Sequence, residues 1–330
     1  MNKIGDIGIP ASGRESAEAS VPAVSGPTSS ASASDLVVHR HRRFSLRRVS
    51  AICTNTLTEL IRLKVFYFLL LFGLILIGGS VGLARFSFQQ EFQILKDISL
   101  GAMSIFTSLL AIIATARLIS QDIEERTIYS ILAKPVSRIE YLIGKLAGVL
   151  LLLGIAVAIM AALFLVVIYT REQTVLHDTA RQMATAPADQ LDHALNAVRA
   201  SALNPNLAPA IGIIYLKACL LASLTLFVST FATTNIFTVM VMVFVYGIGH
   251  LQATAREYWL HEHGAGWITQ LLLAVVALVF PDLQLFNVVD EAVVGTAIPF
   301  VIFLKTAGIG IFYIIVYTAL AAVVFSGKEL

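Results

Sequence analysis

The stretch SQDIEERTIYSILAKPVSRIEYLIGK, residues 120–145, lies between two long apolar runs and decides how the chain is organised. It contains four acidic and four basic residues, yet its apolar side chains keep helical spacing. An ordinary connection between two membrane spans needs only polarity, whereas this one is patterned as an ordered part. We therefore expect a rigid cytoplasmic element that can act as a docking surface.

The rest of the chain is strongly apolar. Hydrophobic residues make up 57% of the 330 positions and charged residues 13%, with a mean hydropathy of +0.82. Soluble domains carry about 25% charged residues, so this composition indicates an integral membrane protein in contact with lipid. A net charge of +2 is too small to indicate a nucleic-acid partner.

Apolar runs predict the number of membrane spans. Crossing a bilayer takes about 20 mostly apolar residues. Six apolar runs reach or approach this length. A seventh run, 267–280, is shorter and ends at Pro281, so we expect it to be re-entrant or interfacial. The predicted fold is an all-α membrane protein with six transmembrane helices, at residues 65–84, 100–119, 146–169, 210–231, 236–251 and 299–325.

The distribution of Lys and Arg near the ends of the spans predicts the orientation. With both termini in the cytoplasm, the cytoplasmic side holds thirteen such residues: Arg40, Arg42, Arg43, Arg47, Arg48, Arg62, Lys64, Arg117, Arg126, Lys134, Arg138, Lys145 and Lys328. The opposite side holds six: Arg85, Lys96, Arg171, Arg181, Arg199 and Arg256. We expect a multi-pass protein of the cytoplasmic (inner) membrane with its N-terminus and C-terminus inside.

The whole chain divides into two segments. Residues 1–43 are rich in Ala, Ser, Gly and Pro and end in basic residues, so we expect a disordered tail without the apolar core of a signal peptide. Residues 44–330 form the predicted transmembrane domain. Within 44–64, helical spacing and clustered arginines indicate an interfacial helix along the inner surface, or alternatively a cytoplasmic extension of the first span.

After Pro187, apolar spacing predicts a short helix in the connection between the third and fourth spans.

The polar stretch is predicted to form a helical hairpin. The first helix covers 121–133, with Asp122 and Arg126 as an opposite-charge pair one turn apart. Pro135 ends this helix, because a proline disfavours the α conformation in the preceding residue. Ser137 and Glu140 then have the spacing of a capping box, which predicts that a second helix starts at Arg138 and continues into the third span.

These residues resemble a known family. The pattern Glu125-Arg126-Thr127, Leu132, Pro135, Ser137-Arg138, Tyr141 and Gly144-Lys145 resembles the signature between the second and third spans of type 2 ABC transporter permeases. Many members have Gly just before the Thr, whereas Arg126 is found here, as in the branch resembling nitrous-oxide-maturation and gliding-type permeases. The run FPDLQLFN, residues 280–287, resembles a second feature of that branch. The resemblance covers roughly residues 45–330.

The resemblance implies an ATPase-coupling role for the hairpin. In the family this segment is a coupling helix that seats in a groove of the ATP-hydrolysing subunit. By this resemblance the polar contacts are Asp122, Glu125, Arg126 and Arg138, the groove-packing residues are Ile128, Ile131 and Leu132, Thr127 belongs to the signature, and Pro135 and Ser137 shape the turn.

Nucleotide-binding chemistry is absent from the sequence itself. No GxxxxGK[ST] phosphate loop occurs, because Gly144-Lys145 is followed by Leu146 and Gly327-Lys328 by Glu329. We expect a transporter subunit without cofactor or catalytic set, not an enzyme. The resemblance implies two separate ATPase subunits and two permeases, as a homodimer or a heterodimer.

Two lysines within the spans are further candidates. Lys217 and Lys305 lie about seven residues from the outer ends of the fourth and sixth spans. Charges inside a membrane usually serve a function, so both are candidate transport-pathway residues. At this depth a lysine can instead extend its ammonium to the outer interface.

A histidine-rich stretch is a possible metal site by composition. His250, His261, Glu262 and His263 lie at and beyond the end of the fifth span, but they lack a recognised zinc-binding spacing, so a solvated or interfacial loop is favoured.

The sequence favours the permease subunit of an ATP-driven exporter. Two alternatives stay open: an ABC-linked assembly or maturation subunit that moves no solute, and an ATPase-independent channel or membrane enzyme. A channel would be expected to have several polar spans, and an enzyme a convergent catalytic set, and the sequence has neither.

Overall fold

The computed structural model describes residues 45–84, 90–124, 137–184, 187–203, 205–232, 234–262, 281–287, 293 and 300–327. Among these residues there is helix and no strand. The helices are α1 (Leu46–Ile61), α2 (Lys64–Ala84), α3 (Glu91–Glu124), α4 (Arg138–Gln182), α5 (Ala188–Ala202), α6 (Leu207–Phe231), α7 (Asn235–Glu262) and α8 (Phe300–Gly327). A single 3₁₀ turn, Leu283–Phe286, precedes α8 in this part of the chain.

Six helical stretches of the described chain are long and apolar enough to cross a membrane. They lie within Lys64–Ala84, Glu91–Ile119, Arg138–Gln182, Ala188–Phe231 (where α6 is the apolar helix), Asn235–Gln252 and Val301–Gly327. This confirms the prediction of an all-helical fold with six candidate spans. The fifth is the shortest, with 18 residues, as the sequence predicted.

Helix α6 lies at the centre of the bundle. It contacts α3, α4, α7 and α8. Its buried hydroxyl groups at Ser223, Thr225 and Ser229 donate to carbonyls one turn earlier in the same helix. Such bonds satisfy polar groups that have no access to water, which lets α6 be surrounded by other helices.

The peripheral helices present apolar side chains outward. Phe68 and Ile75 of α2, Phe244 of α7, and Val301 and Val323 of α8 are all largely exposed. A water-soluble protein rarely exposes such continuous apolar surface. This surface fits contact with lipid, as expected for a membrane-spanning bundle.

Helix α4 is longer than the predicted third span. It has 45 residues and continues past residue 169 to Gln182. Polar contacts hold its far end: Arg171 forms an ion pair with Glu91 of α3. Nearby, the ammonium of Lys96 donates to the carbonyl of Ser201 in α5 at 2.7 Å. Helix α5, which follows Pro187, confirms the predicted short helix.

Helix α7 also exceeds its predicted length. Its backbone includes His250, which lies within the predicted fifth span, and also His261 and Glu262, for which the expectation of a loop was wrong. The helix continues because no Gly or Pro occurs between residues 250 and 262. His263, the run 267–280 and the tail 1–43 lie outside the described residues. The 3₁₀ turn is capped by Asp282, whose carboxylate accepts the N–H of Gln284 at 3.1 Å.

Candidate coupling site

The two arms of the predicted hairpin correspond to the end of α3 and the start of α4. Helix α3 continues to Glu124 and includes the backbone of Asp122. Helix α4 begins at Arg138, the residue that the sequence predicted. The other predicted coupling residues lie outside the described part of the chain: Glu125, Arg126, Thr127, Ile128, Ile131, Leu132 and Pro135.

The capping box at the start of α4 is confirmed. The hydroxyl of Ser137 accepts the backbone N–H of Glu140 at 3.1 Å, and the carboxylate of Glu140 accepts the backbone N–H of Ser137 at 3.1 Å. Each bond satisfies an N–H that the helix itself leaves unpaired. The chain direction at the end of the hairpin is thereby fixed.

Glu140 also attaches α1 to α4. Its side chain is 1% exposed, and its second oxygen accepts the backbone N–H of Ser45, the residue before α1, at 2.7 Å. A guanidinium nitrogen of Arg48 lies 3.3 Å from the carboxylate. One buried carboxylate therefore bonds both the end of the hairpin and the start of α1. The sequence identified only the capping role of this residue.

Two glycines allow close approach of α1 and α4. A Cβ at Gly144 would lie 2.8 Å from the Cβ of Ile52, and one at Gly148 would lie 2.7 Å from the Cβ of Thr56. Glycines four residues apart are a common device for close helix packing in membranes. The contacting pairs advance together along the two helices, so α1 runs in the same direction as the first turns of α4.

Arg138 connects the start of α4 to the end of α8. One of its guanidinium nitrogens donates to the carbonyls of Phe325 at 3.1 Å and Ser326 at 3.0 Å. These are among the last carbonyls of α8, which lack partners within the helix. The rings of Tyr141 and Phe325 stack beside this bond, with centroids 5.9 Å apart.

These contacts make the start of α4 a junction of three elements. Ser137, Arg138 and Glu140 lie within four residues, and they bind the end of the hairpin, the start of α1 and the end of α8. The end of the hairpin at Ser137 is therefore connected to two other helices through direct hydrogen bonds.

The two candidate pathway lysines have different surroundings. Lys217, in the central helix α6, is 2% exposed. Its ammonium lies 3.0 Å from Nε2 of His250 and 3.3 Å from the hydroxyl of Ser104. Lys305, in the peripheral helix α8, is exposed.

The hydrogen bonds of His250 define its role beside Lys217. Its Nδ1 lies 3.0 Å from the carbonyl of Tyr246, to which it must donate, so Nε2 accepts from the Lys217 ammonium. The ammonium also lies 5.6 Å from the centroid of the Tyr246 ring. Among the described residues, no carboxylate forms an ion pair with Lys217. Its charge is stabilised by neutral groups from two other helices, α3 and α7.

Fold and junction together define the class. The described chain is a multi-pass helical membrane protein in which the second arm of the polar hairpin is bonded to the ends of other helices. A family model described as ABC-2 family transporter protein matches residues 51–330. The chain belongs to the ABC-2 transporter family, and it is a membrane transport subunit. No curated protein matches the chain.

Proposed function

We propose that this chain is the membrane-spanning subunit of an ATP-driven exporter, working with a separate ATPase and a second permease copy. ATP binding closes the two ATPase subunits and displaces the hairpin at residues 121–133. The displacement rearranges the membrane helices and opens a path to the outside. In this proposal Asp122, Glu125, Arg126 and Arg138 make polar contacts with the ATPase, and Ile128, Ile131 and Leu132 pack into its groove.

The bonds at the start of α4 are the observation that carries this proposal. Glu140 bonds to Ser45 and Ser137, and Arg138 bonds to the last carbonyls of α8. A connection that only joined two spans would need none of these bonds. They support a hairpin that moves α1, α4 and α8 together.

The membrane placement is part of the same proposal. Thirteen basic residues on the hairpin side against six on the other support a cytoplasmic hairpin in the inner membrane. Arg47, at the start of α1, is exposed and available to anionic headgroups, in keeping with an interfacial start of this helix. The segment 267–280 is proposed to re-enter the membrane before α8.

Charge reversal in the hairpin tests the coupling. In nanodiscs containing the permease and its co-purified ATPase, we expect Glu125→Lys to lower permease-stimulated ATP hydrolysis about tenfold, which corresponds to roughly 1.4 kcal/mol of interface energy. Glu125 is a more specific position for this test than Arg138, because charge reversal at Arg138 also breaks its hydrogen bonds to α8. The measurement is the ATPase rate of the complex relative to the ATPase alone.

Asp97→Lys is the matched control for this experiment. Asp97 is an exposed carboxylate near the start of α3, at the opposite end of the bundle, so we expect wild-type coupling. Equal rates for Glu125→Lys and the unaltered complex would contradict the coupling proposal. Labelling of an Ile139→Cys variant by an impermeant reagent added outside would also contradict the coupling proposal. Coupled hydrolysis without vesicle export of any cargo would favour the maturation role.

The buried lysine gives a second test, of the transport path. We expect Lys217→Met to reduce coupled transport about tenfold, roughly 1.4 kcal/mol, with the unfolding temperature close to that of the unaltered chain. Stability changes little because losing the bonds to His250 and Ser104 is offset by removing a buried charge. Lys305→Met serves as the control, since Lys305 is exposed and we expect no change. Unchanged transport in a folded Lys217→Met protein would remove Lys217 from the path.

A further inference from the structure

An open cavity lies at the end of α4 that is remote from the hairpin. It is bounded by this end of α4, the first turn of α3 and the end of α5, and its volume is about 380 Å³. Small-molecule sites begin at about 300 Å³, so the cavity can hold a small organic ligand. Glu91 of α3, Arg171 and Asp178 of α4, and Ser201 of α5 line it. Three helices therefore contribute polar residues to one cavity.

Contacts between the helices fix the walls of this cavity. Arg171 forms an ion pair with Glu91, which joins α4 to α3. The buried ammonium of Lys96, also in α3, donates to the carbonyl of Ser201 in α5 at 2.7 Å. A ligand therefore meets walls that are already ordered, which favours binding because little conformational freedom is lost.

The guanidinium of Arg171 has hydrogen-bond donors left for a ligand. A guanidinium carries five N–H donors. Among the described residues, the carboxylate of Glu91 is the only hydrogen-bond partner of the Arg171 side chain. This side chain is 12% exposed, so water reaches only a small part of it. A ligand with carbonyl oxygens in the cavity can accept from the remaining donors.

Asp178 gives the cavity an excess of negative charge. It is exposed in the cavity wall, and no described residue forms an ion pair with it. Glu91 and Arg171 neutralise each other, so the lining carries one negative charge. Two buried residues nearby, Glu172 and Lys96, have opposite charges and leave this excess unchanged. A ligand with one ammonium group therefore complements the cavity.

The spacing of Arg171 and Asp178 sets the length of the ligand. Seven residues make almost two turns, so both side chains lie on one face of α4, about 10.5 Å apart along its axis. With a hydrogen bond of about 3 Å at each end, a bridging ligand needs its ammonium and its acceptor at least about 4–5 Å apart. The nitrogen and carbonyl carbon of one amino acid are about 2.5 Å apart, whereas two residues extend about 6–7 Å. A dipeptide unit therefore fits better than a single amino acid.

We propose that this cavity binds the amino end of a short peptide. The terminal ammonium lies against Asp178, and the carbonyl of the second residue accepts from Arg171. The amide of Gln182 supplies further hydrogen bonds, and the half-buried side chains of Val175 and Val198 contact the apolar part of the peptide. The proposal goes beyond the transporter function above, because binding needs neither an ATPase nor movement of a solute.

Two dipeptide probes test the proposal with the purified chain in phosphatidylcholine nanodiscs. Alanyl-alaninamide carries the ammonium, and its N-acetylated form keeps the carbonyls without the charge. In a ligand-observed NMR titration, with empty nanodiscs as background, we expect saturable binding of the charged probe. The acetylated probe should bind about fivefold more weakly, as expected for loss of one exposed ion pair. Equal affinity of the two probes, or no saturable binding of the charged probe at tens of millimolar, would overturn the proposal.

Asp178→Asn identifies the partner of the ammonium. This variant should bind alanyl-alaninamide about fivefold more weakly and leave binding of the acetylated probe unchanged. Asp192→Asn is the matched control, because Asp192 is an exposed carboxylate of α5 that does not line the cavity, and we expect it to bind like the unaltered chain. Equal weakening of both probes by Asp178→Asn would contradict the assignment of the ammonium to this carboxylate.

Arg171→Lys tests the other end of the ligand. Lysine keeps a positive charge opposite Glu91 but lacks the planar set of donors. We expect several-fold weaker binding of both probes, with an unfolding temperature close to that of the unaltered chain. Unchanged affinity in this variant would count against the carbonyl contact. If the variant does not fold, Asp178→Asn still decides the proposal, because Asp178 is exposed.

A lipid headgroup is the rival occupant of the cavity, because phosphatidylethanolamine also carries a primary ammonium. Adding this lipid to the nanodiscs separates the two ligands. Unchanged affinity for alanyl-alaninamide supports the peptide site. Loss of probe binding by competition would assign the cavity to the headgroup and overturn the peptide proposal.

Discussion

Replacing Glu140 by alanine is expected to destabilise the protein by about 3 kcal/mol or more, because it breaks a buried charged network. The substitution removes the acceptor for the N–H groups of Ser45 and Ser137 and the partner of Arg48. Two backbone donors then lose their acceptor. The start of α1 loses its polar attachment to α4, so unfolding temperature and coupled ATPase activity should both fall.

Arg48→Met provides the graded comparison for Glu140→Ala. The Arg48 side chain is 32% exposed, and without it Glu140 still accepts two backbone N–H groups. We expect a loss of about 1 kcal/mol or less, as for partly exposed ion pairs. Heat unfolding of both variants in the same detergent checks the order. If Arg48→Met were as damaging as Glu140→Ala, the ion pair rather than the amide bonds would hold α1.

Alanine at Gly148 is expected to push α1 away from α4. The added Cβ would lie 2.7 Å from the Cβ of Thr56 and 3.0 Å from the carbonyl oxygen of Cys53. Neither atom is the flexible end of a side chain, so the helices must separate, at about 1–3 kcal/mol. Alanine is a better helix former than glycine by about 1 kcal/mol, so a net loss of stability reports the disturbed contact with α1.

The buried thiol of Cys53 makes this separation measurable. Burial raises the pKa of this thiol, so in the unaltered chain it is shielded and protonated. We expect Gly148→Ala to increase the rate of maleimide labelling at Cys53, with Cys53→Ser reporting the background from Cys219. Gly78→Ala in α2 is the control, since a Cβ there meets nothing within 4 Å. A labelling rate unchanged by Gly148→Ala would show that the interface adapts without opening.

Features with local causes could be predicted from the sequence. The six spans follow from the length of their apolar runs, and α5 follows from the apolar spacing after Pro187. The capping box depends on two residues three positions apart, so its bonds were predictable. The ends of α4 and α7 were not, because polar residues with good helix propensity continue a helix beyond its apolar part.

Contacts between distant residues could not be predicted. Glu140 and Ser45 are 95 positions apart, and no local pattern joins them. Lys217 and Lys305 have similar positions in their spans, yet one is buried and the other exposed. The difference arises because α6 is surrounded by other helices and α8 is peripheral, which depends on the packing order of the bundle.

The continuity of α4 has a geometric consequence. At about 1.5 Å per residue, its 45 residues extend roughly 68 Å, more than twice the hydrocarbon thickness of a bilayer. A swing of about 5° around the Glu140 end would carry the Gln182 end sideways by roughly 6 Å, given that length. A small angular displacement driven by nucleotide on one side of the membrane would thus become a change of several ångströms on the other, large enough to follow with a pair of distance probes.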